Sequence, residues 1–143
     1  MKLYITYGSN LNKAQMAKRC PKAIPAGSGI LKDWELLYRG KESGFYATIQ
    51  PKKGSVVPVG LWEISPEDEK ALDIYEVYPD LYYKETLSVT LTDGTEKNAM
   101  VYIMCEDARD GRPTAEYIQS IRDGYADFGL DIRIFEASLD QIK

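Results

Sequence analysis

Eight residues near the start of the chain, Tyr4-Ile5-Thr6-Tyr7-Gly8-Ser9-Asn10-Leu11, restrict what the rest can build around them. Leu3, Ile5 and Tyr7 alternate with Lys2, Tyr4 and Thr6, and most are β-branched or aromatic, which is the pattern of a strand. The pattern stops at Gly8-Ser9-Asn10, and the run from Asn12 to Arg19 consists of good helix formers. The expected unit is strand, tight loop, helix. Gly8 permits a sharp turn or a close approach to a ligand, and Ser9 or Asn10 is the expected helix cap. Such a loop leaves backbone N–H groups at a helix N-terminus free to hold a carboxylate or a developing oxyanion. Plain turn-and-cap chemistry accounts for the same residues. The loop becomes a site only where a reactive group from elsewhere converges on it.

Downstream, breakers between Pro21 and Gly29 predict a loop, Trp34 to Arg39 a strand, and Gly40 to Gly44 a polar turn. Tyr46 to Gln50 reads as a short strand, Pro51 to Ser55 as another turn, and Val56 to Ile64 as the most apolar strand, with Pro58 marking an edge or bulge. Ser65-Pro66-Glu67-Asp68 is a helix start with Ser as N-cap and Pro at the first helical position. That helix carries Ala71, Leu72 and Tyr75 and should end near Glu76, before Pro79. Tyr82 to Leu91 alternates, turns at Asp93-Gly94, and returns through Ala99 to Met104. After a polar loop from Asp107 to Pro113, Thr114 caps a helix with the stripe Tyr117, Ile118, Ile121, Tyr125 and Phe128, closed by Gly129. A last helix runs over about Asp131 to Leu139, with Ile132, Phe135 and Leu139 on one face. No repeat or linker divides residues 1–143, so one α+β domain is expected: a small mixed sheet or partly closed barrel with flanking helices.

Composition narrows the function. A net charge of −4 without a basic stripe argues against nucleic acid as a partner. No apolar run approaches the ~20 residues that cross a bilayer, and the chain opens on a strand and not a signal peptide. Cys20 and Cys105 make neither a CxxC pair nor a disulfide framework and read as buried small hydrophobes, so a reduced cytoplasmic protein is the simplest account. The chain has no histidine. Ser-His-Asp and Cys-His nucleophiles and HExxH zinc sites are thereby excluded, and no metal or other cofactor is expected. Acid–base work falls to carboxylates, Lys or the eleven tyrosines.

Among the acids, Glu76 sits apart, between Tyr75 and Val77-Tyr78-Pro79 at a helix end. Apolar neighbours and a helix C-terminus both raise a carboxyl pKa towards that of a base useful near neutrality. An idle, exposed glutamate fits the same position. Taken with the first loop, the pattern is more specific. Tyr7-Gly8-Ser9-Asn10-Leu11 after an N-terminal strand, Arg19-Cys20-Pro21 after the first helix, a Gly60-Leu61-Trp62 strand, and Leu72-Asp73-x-x-Glu76 followed by Tyr82 together resemble the gamma-glutamylcyclotransferase-like family. Pro113-Thr114-x-x-Tyr117 and Gly124-x-x-x-x-Gly129-Leu130 are similar to the C-terminal helix region of that family's branch nearest gamma-glutamylcyclotransferase itself.

The resemblance implies a small β-barrel with flanking helices, in which the loop Tyr7 to Leu11 lines a cavity opposite a catalytic glutamate, here Glu76. It implies a small-molecule γ-glutamyl substrate, converted to 5-oxoproline and a free amine or amino acid without a cofactor. The chemistry suits a chain without histidine. The substrate's α-amine, of pKa about 8, must lose a proton and attack its own γ-carbonyl, so a placed carboxylate and a folded substrate conformer suffice. Tyr82 and Tyr117 are candidate phenolic donors to the cavity, although Tyr117 also fits an apolar stripe. Ser9, lacking a base, reads as loop and cap and not as a nucleophile. Where the family often has Glu-Gly, this chain has Glu76-Val77, which bears on the pocket rim and on substrate choice. Competing readings are a related cyclotransferase acting on a γ-glutamyl amine or γ-glutamylated metabolite, and a catalytically silent carboxylate-binding module. The sequence carries no signal for oligomeric state.

Overall fold

A computed structural model describes residues 1–142. Six strands and four helices follow one another as β1 (Lys2–Thr6), α1 (Lys13–Arg19), β2 (Ile24–Lys41), β3 (Gly44–Ile64), α2 (Pro66–Tyr75), β4 (Tyr82–Leu91), β5 (Glu96–Met104), β6 (Arg109–Asp110), α3 (Ala115–Phe128) and α4 (Ile132–Asp140). The strand order β3-β1-β5-β4-β2 closes on itself because β2 also pairs with β3, giving a five-stranded barrel; β6 adds to the far end of β2. Every pairing is antiparallel except β1 with β5. The α+β barrel expected from the sequence is therefore the observed fold.

β1 is the central piece. It pairs with β3 from Lys2↔Ile64 to Thr6↔Gly60 on one side and with β5 at Tyr4↔Met100 on the other. Both of its faces are buried. Ile5 joins the main core with Val59, Leu61 and Val101, whereas Tyr4 joins a second cluster with Met16, Trp62 and Leu72 under α1 and α2.

Three local expectations are corrected. The segment from Pro21 to Gly29 is not all loop, because β2 begins at Ile24. Its pairing with β3 tolerates the breakers by slipping register between Pro25 and Gly27, where Gly27 has φ +118°. The two short strands expected between Tyr46 and Ile64 form one strand of 21 residues. The turn expected at Pro51 to Ser55 is instead a bulge in β3: Lys32 pairs with Val56 and Trp34 with Pro51, and the Gly54 N–H donates to Asp33 Oδ1 at 2.9 Å. Pro58 lies beyond the end of β1, whose last partner is Gly60, so one side of β3 is free of β1 there. Thirdly, Arg109–Asp110 within the expected polar loop pairs with Arg39 and Gly40.

The helix signals hold in detail. Ser65 and Asp68 form a reciprocal capping box at α2, Thr114 caps α3, and Gly129 ends α3 with φ 65°. At α1 the cap differs from the sequence expectation. Ser9–Leu11 wind a 3-10 turn, so the helix starts later, and Asn12 supplies the cap by accepting the Gln15 N–H at 3.0 Å. Helix α3 fastens this region from outside: the Asn12 side chain donates to the Ser120 carbonyl and the Lys13 N–H to Asp127.

Candidate active site

The 3-10 turn after β1, the end of α2, the tip of the β2–β3 hairpin and Tyr117 on α3 surround one cavity of about 230 Å³. Glu76 lies on its wall. The residue is placed by the way α2 ends. Its own N–H donates to the Leu72 carbonyl, the Val77 N–H to Ile74, and the Tyr78 N–H back to Asp73 at 2.9 Å. This is a Schellman closure, whose pivotal residue must be left-handed. Val77 fills that position with φ 53°. Glycine would meet this requirement without strain, whereas a β-branched residue there costs about 1–2 kcal/mol. Asp73, three residues before Glu76, anchors the helix end by accepting the Tyr102 hydroxyl at 2.6 Å and pairing with Lys84 at 2.9 Å.

The Glu76 carboxylate has no hydrogen-bond partner among the described residues. Burial pushes its pKa up to about 8, with the Arg19 guanidinium pulling the other way. Arg19 is itself held: it stacks on the Tyr75 ring at 3.6 Å and donates to Asn10 Oδ1 and Gln15 Oε1, each at 2.9 Å.

The turn borders the same cavity. Its carbonyls are occupied: Gly8 accepts the Leu11 N–H, Ser9 the Asn12 N–H, and Asn10 the Trp62 indole N–H. The backbone N–H groups of Gly8, Ser9 and Asn10 have no acceptor among the described residues. The Ser9 hydroxyl bonds the Tyr75 hydroxyl at 2.8 Å, and Asn10 Nδ2 donates to the Tyr4 hydroxyl at 2.9 Å. Tyr7 also lines the cavity, with its hydroxyl donating to the Tyr102 carbonyl at 2.6 Å. Leu11, by contrast, is not a lining residue. It is fully buried in the core, and its N–H closes the turn onto Gly8. One turn of 3-10 helix rotates its side chain away from the space that Gly8, Ser9 and Asn10 border.

The two candidate phenols differ. Burial holds both Tyr82 and Tyr117 well above the ordinary phenol pKa, so each keeps its proton. Tyr82 spends that proton on the Ala47 carbonyl at 2.7 Å. Tyr117 receives the Ala47 N–H at 3.0 Å, and its own proton has no acceptor among the described residues, which leaves it available to a bound molecule. Tyr4, Tyr46, Tyr75 and Tyr102 line the cavity as well and were not expected there. Seven of the eleven tyrosines therefore face one space, and the signal for them was the high tyrosine count of a chain without histidine. Cys20 is buried and Cys105 half-buried; neither borders the cavity.

Comparison with known proteins identifies a family and a shared fold. The family described as gamma-glutamyl cyclotransferase, AIG2-like, matches residues 4–120, a span that contains the turn, Glu76 and Tyr117. A solved structure named gamma-glutamyl cyclotransferase superimposes with a TM-score of 0.88 at 25% identity, over 99% of this chain and 88% of its own. A human protein described as uncharacterized aligns equally well, with a TM-score of 0.88 at 25% identity and coverage of 99% and 88%. YkqA from Bacillus subtilis shares the fold, with a TM-score of 0.82 at 18% identity, over 99% of this chain and 55% of its own. Comparison with curated proteins returns no match. With the family matched across the segments that build the cavity, this chain belongs to the gamma-glutamyl cyclotransferase, AIG2-like family.

Proposed function

We propose that the protein is a cyclotransferase that converts a γ-glutamyl compound to 5-oxoproline and a free amine. The observation that supports this reading is that a Glu76 carboxylate with no hydrogen-bond partner and a turn, Gly8 to Asn10, whose N–H groups have no acceptor among the described residues line the same small cavity. Glu76 takes the proton of the substrate's α-ammonium group. The freed amine attacks the γ-carbonyl carbon four bonds away and closes a five-membered ring, so the reaction is governed by how the substrate is folded, and positioning supplies most of the rate. Charge develops on the carbonyl oxygen as the ring closes, and backbone N–H groups or the Tyr117 hydroxyl are the donors at hand to stabilise it. Glu76, now protonated, gives its proton to the leaving nitrogen as the C–N bond breaks, then takes the remaining extra proton of the ring nitrogen and passes it to the freed amine, which departs as an ammonium ion. The buried phenols stay neutral throughout and act as hydrogen-bonding walls.

A pKa of about 8 matches Glu76 to an α-amino group, which also titrates at about 8, so the proton moves nearly without cost in either direction. The test is the identity of the acyl product from a panel of γ-glutamyl amino acids and amines. Cyclisation gives 5-oxoproline, and acetylation of the substrate's α-amine abolishes it. Glutamate as the main product, or turnover of the acetylated substrate, refutes the mechanism. Binding of the panel without turnover would instead identify a carboxylate-binding module.

A further inference from the structure

The cavity of about 230 Å³ is smaller than the roughly 300–1,000 Å³ typical of pockets that enclose a whole ligand. If a γ-glutamyl group occupies it, as the proposed function requires and as this inference assumes, the group on the leaving nitrogen lies at the mouth. The mouth has a distinct chemistry. On one side it is edged by Tyr75 and Val77 from the end of α2, which are 38% and 49% exposed although both line the cavity. On the other stand Ser43 and Tyr46 from the β2–β3 hairpin. Ile74 and Tyr78, next to these in sequence, are exposed too, so four large apolar side chains are exposed within five residues.

No cation lines the cavity among the described residues. The cations nearest in structure are occupied. Lys41, whose ammonium also reaches the Asp80 carbonyl beside the rim, pairs with Asp107 at 2.9 Å. Lys84 pairs with Glu69 and Asp73, and Arg19 lies flat on Tyr75 with its donors taken by Asn10 and Gln15. Val77 is the unusual member. It holds a left-handed conformation that glycine or asparagine would adopt without strain, and in doing so it puts an isopropyl group on the rim. Strain retained at the edge of a site points to a use for the side chain that causes it.

We propose that Tyr46, Tyr75 and Val77 form the subsite for the leaving group, and that it selects γ-glutamyl compounds whose leaving amine carries an apolar or aromatic side chain. An aliphatic or aromatic group lies against this rim and sheds water. A charged one loses hydration there and meets no free partner.

The experiment compares kcat/KM for 5-oxoproline release from γ-glutamyl-leucine and γ-glutamyl-phenylalanine with that from γ-glutamyl-aspartate and γ-glutamyl-lysine. It uses the wild-type protein, Val77→Gly and Val77→Asn. Wild type should favour the apolar pair by about 10-fold or more, the lower end of what apolar pocket contacts give. Both variants should unfold at or above the wild-type temperature, because both relieve the backbone, while the preference narrows to within about 3-fold. Equal rates across the panel, a preference for the charged pair, or an unchanged ratio in folded variants would overturn the subsite. Absence of 5-oxoproline from every member would overturn the cyclotransferase reading itself, and the subsite with it.

Discussion

At the scale of single residues, Glu76 carries both the chemistry and a cost. Its folded pKa of about 8 lies above the ordinary carboxyl value of 4.5, so the folded state binds the proton more tightly than the unfolded chain. Stability therefore falls as pH rises through the window from about 4.5 to about 8, and the penalty is complete above it. Glu76→Gln, which never ionises, should melt higher than wild type at pH 9, with the difference closing as pH is lowered towards 4.5. A difference that grows on acidification would show that Glu76 is not held in its neutral form. In kinetics, the same substitution should cost 10²- to 10⁴-fold in kcat, the usual consequence of removing a general base. With Glu76 gone, any limb left near pH 8 in the kcat/KM profile belongs to the substrate's own α-amine. Sequence alone placed Glu76 beside apolar neighbours but left an idle surface glutamate open as an alternative. What separates the two is the burial of the carboxyl and its place on the cavity wall with the Gly8 to Asn10 turn, and neither is local in sequence.

At the scale of elements, the caps and turns that depend on two to six consecutive residues were legible: Ser65 to Asp68, Thr114, Gly129 and the Asp93-Gly94 hairpin all behave as their chemistry dictates. The long strands were not. Pro25, Gly27, Pro51 and Gly54 read as breaks, but in β2 and β3 they sit at register slips sustained by pairing on either side. Tertiary pairing there outweighs local preference. Gly124 is a second case in which distance matters. A Cβ at this position of α3 would lie 2.5 Å from Leu11 Cβ and 2.8 Å from the Asn12 backbone nitrogen, so the glycine sets how closely α3 covers the 3-10 turn. Gly124→Ala would gain up to about 1 kcal/mol of helix propensity in an isolated peptide. In the protein it should instead destabilise by about 1–3 kcal/mol, as overpacking does, because the clash is with backbone and a fully buried leucine. Equilibrium denaturation checks the sign. Weakened activity is expected with it, since the turn that α3 presses on is the one that offers its N–H groups to the cavity.

At the scale of the whole molecule, fold class and family were both readable, because the Tyr7 to Leu11 loop and Leu72-Asp73-x-x-Glu76 are short, dense patterns that survive without knowledge of the barrel. The closure of the barrel through β2 with β3, and the parallel seam between β1 and β5, were not readable, since strand order leaves little trace in local alternation. A topology this rich in distant pairings should refold in milliseconds to seconds and not in microseconds, as stopped-flow fluorescence of Trp34 and Trp62 can measure. A fragment of residues 1–64, which holds β1, β2 and β3 but neither β4 nor β5, should show no cooperative unfolding by circular dichroism. The seam has a further consequence in time. Tyr7 and the Tyr102 carbonyl that receives its hydroxyl are 95 residues apart. At about 5–20 residues per second of synthesis, the first strand waits roughly 5–20 s for its second neighbour to leave the ribosome. Throughout that interval one edge of β1 has no partner, and Ile5 lacks its contact with Val101 of β5. For this protein, birth is the period of greatest exposure to aggregation, and its yield in a cell should depend more on the speed of translation and on chaperone supply than on the stability of the finished barrel.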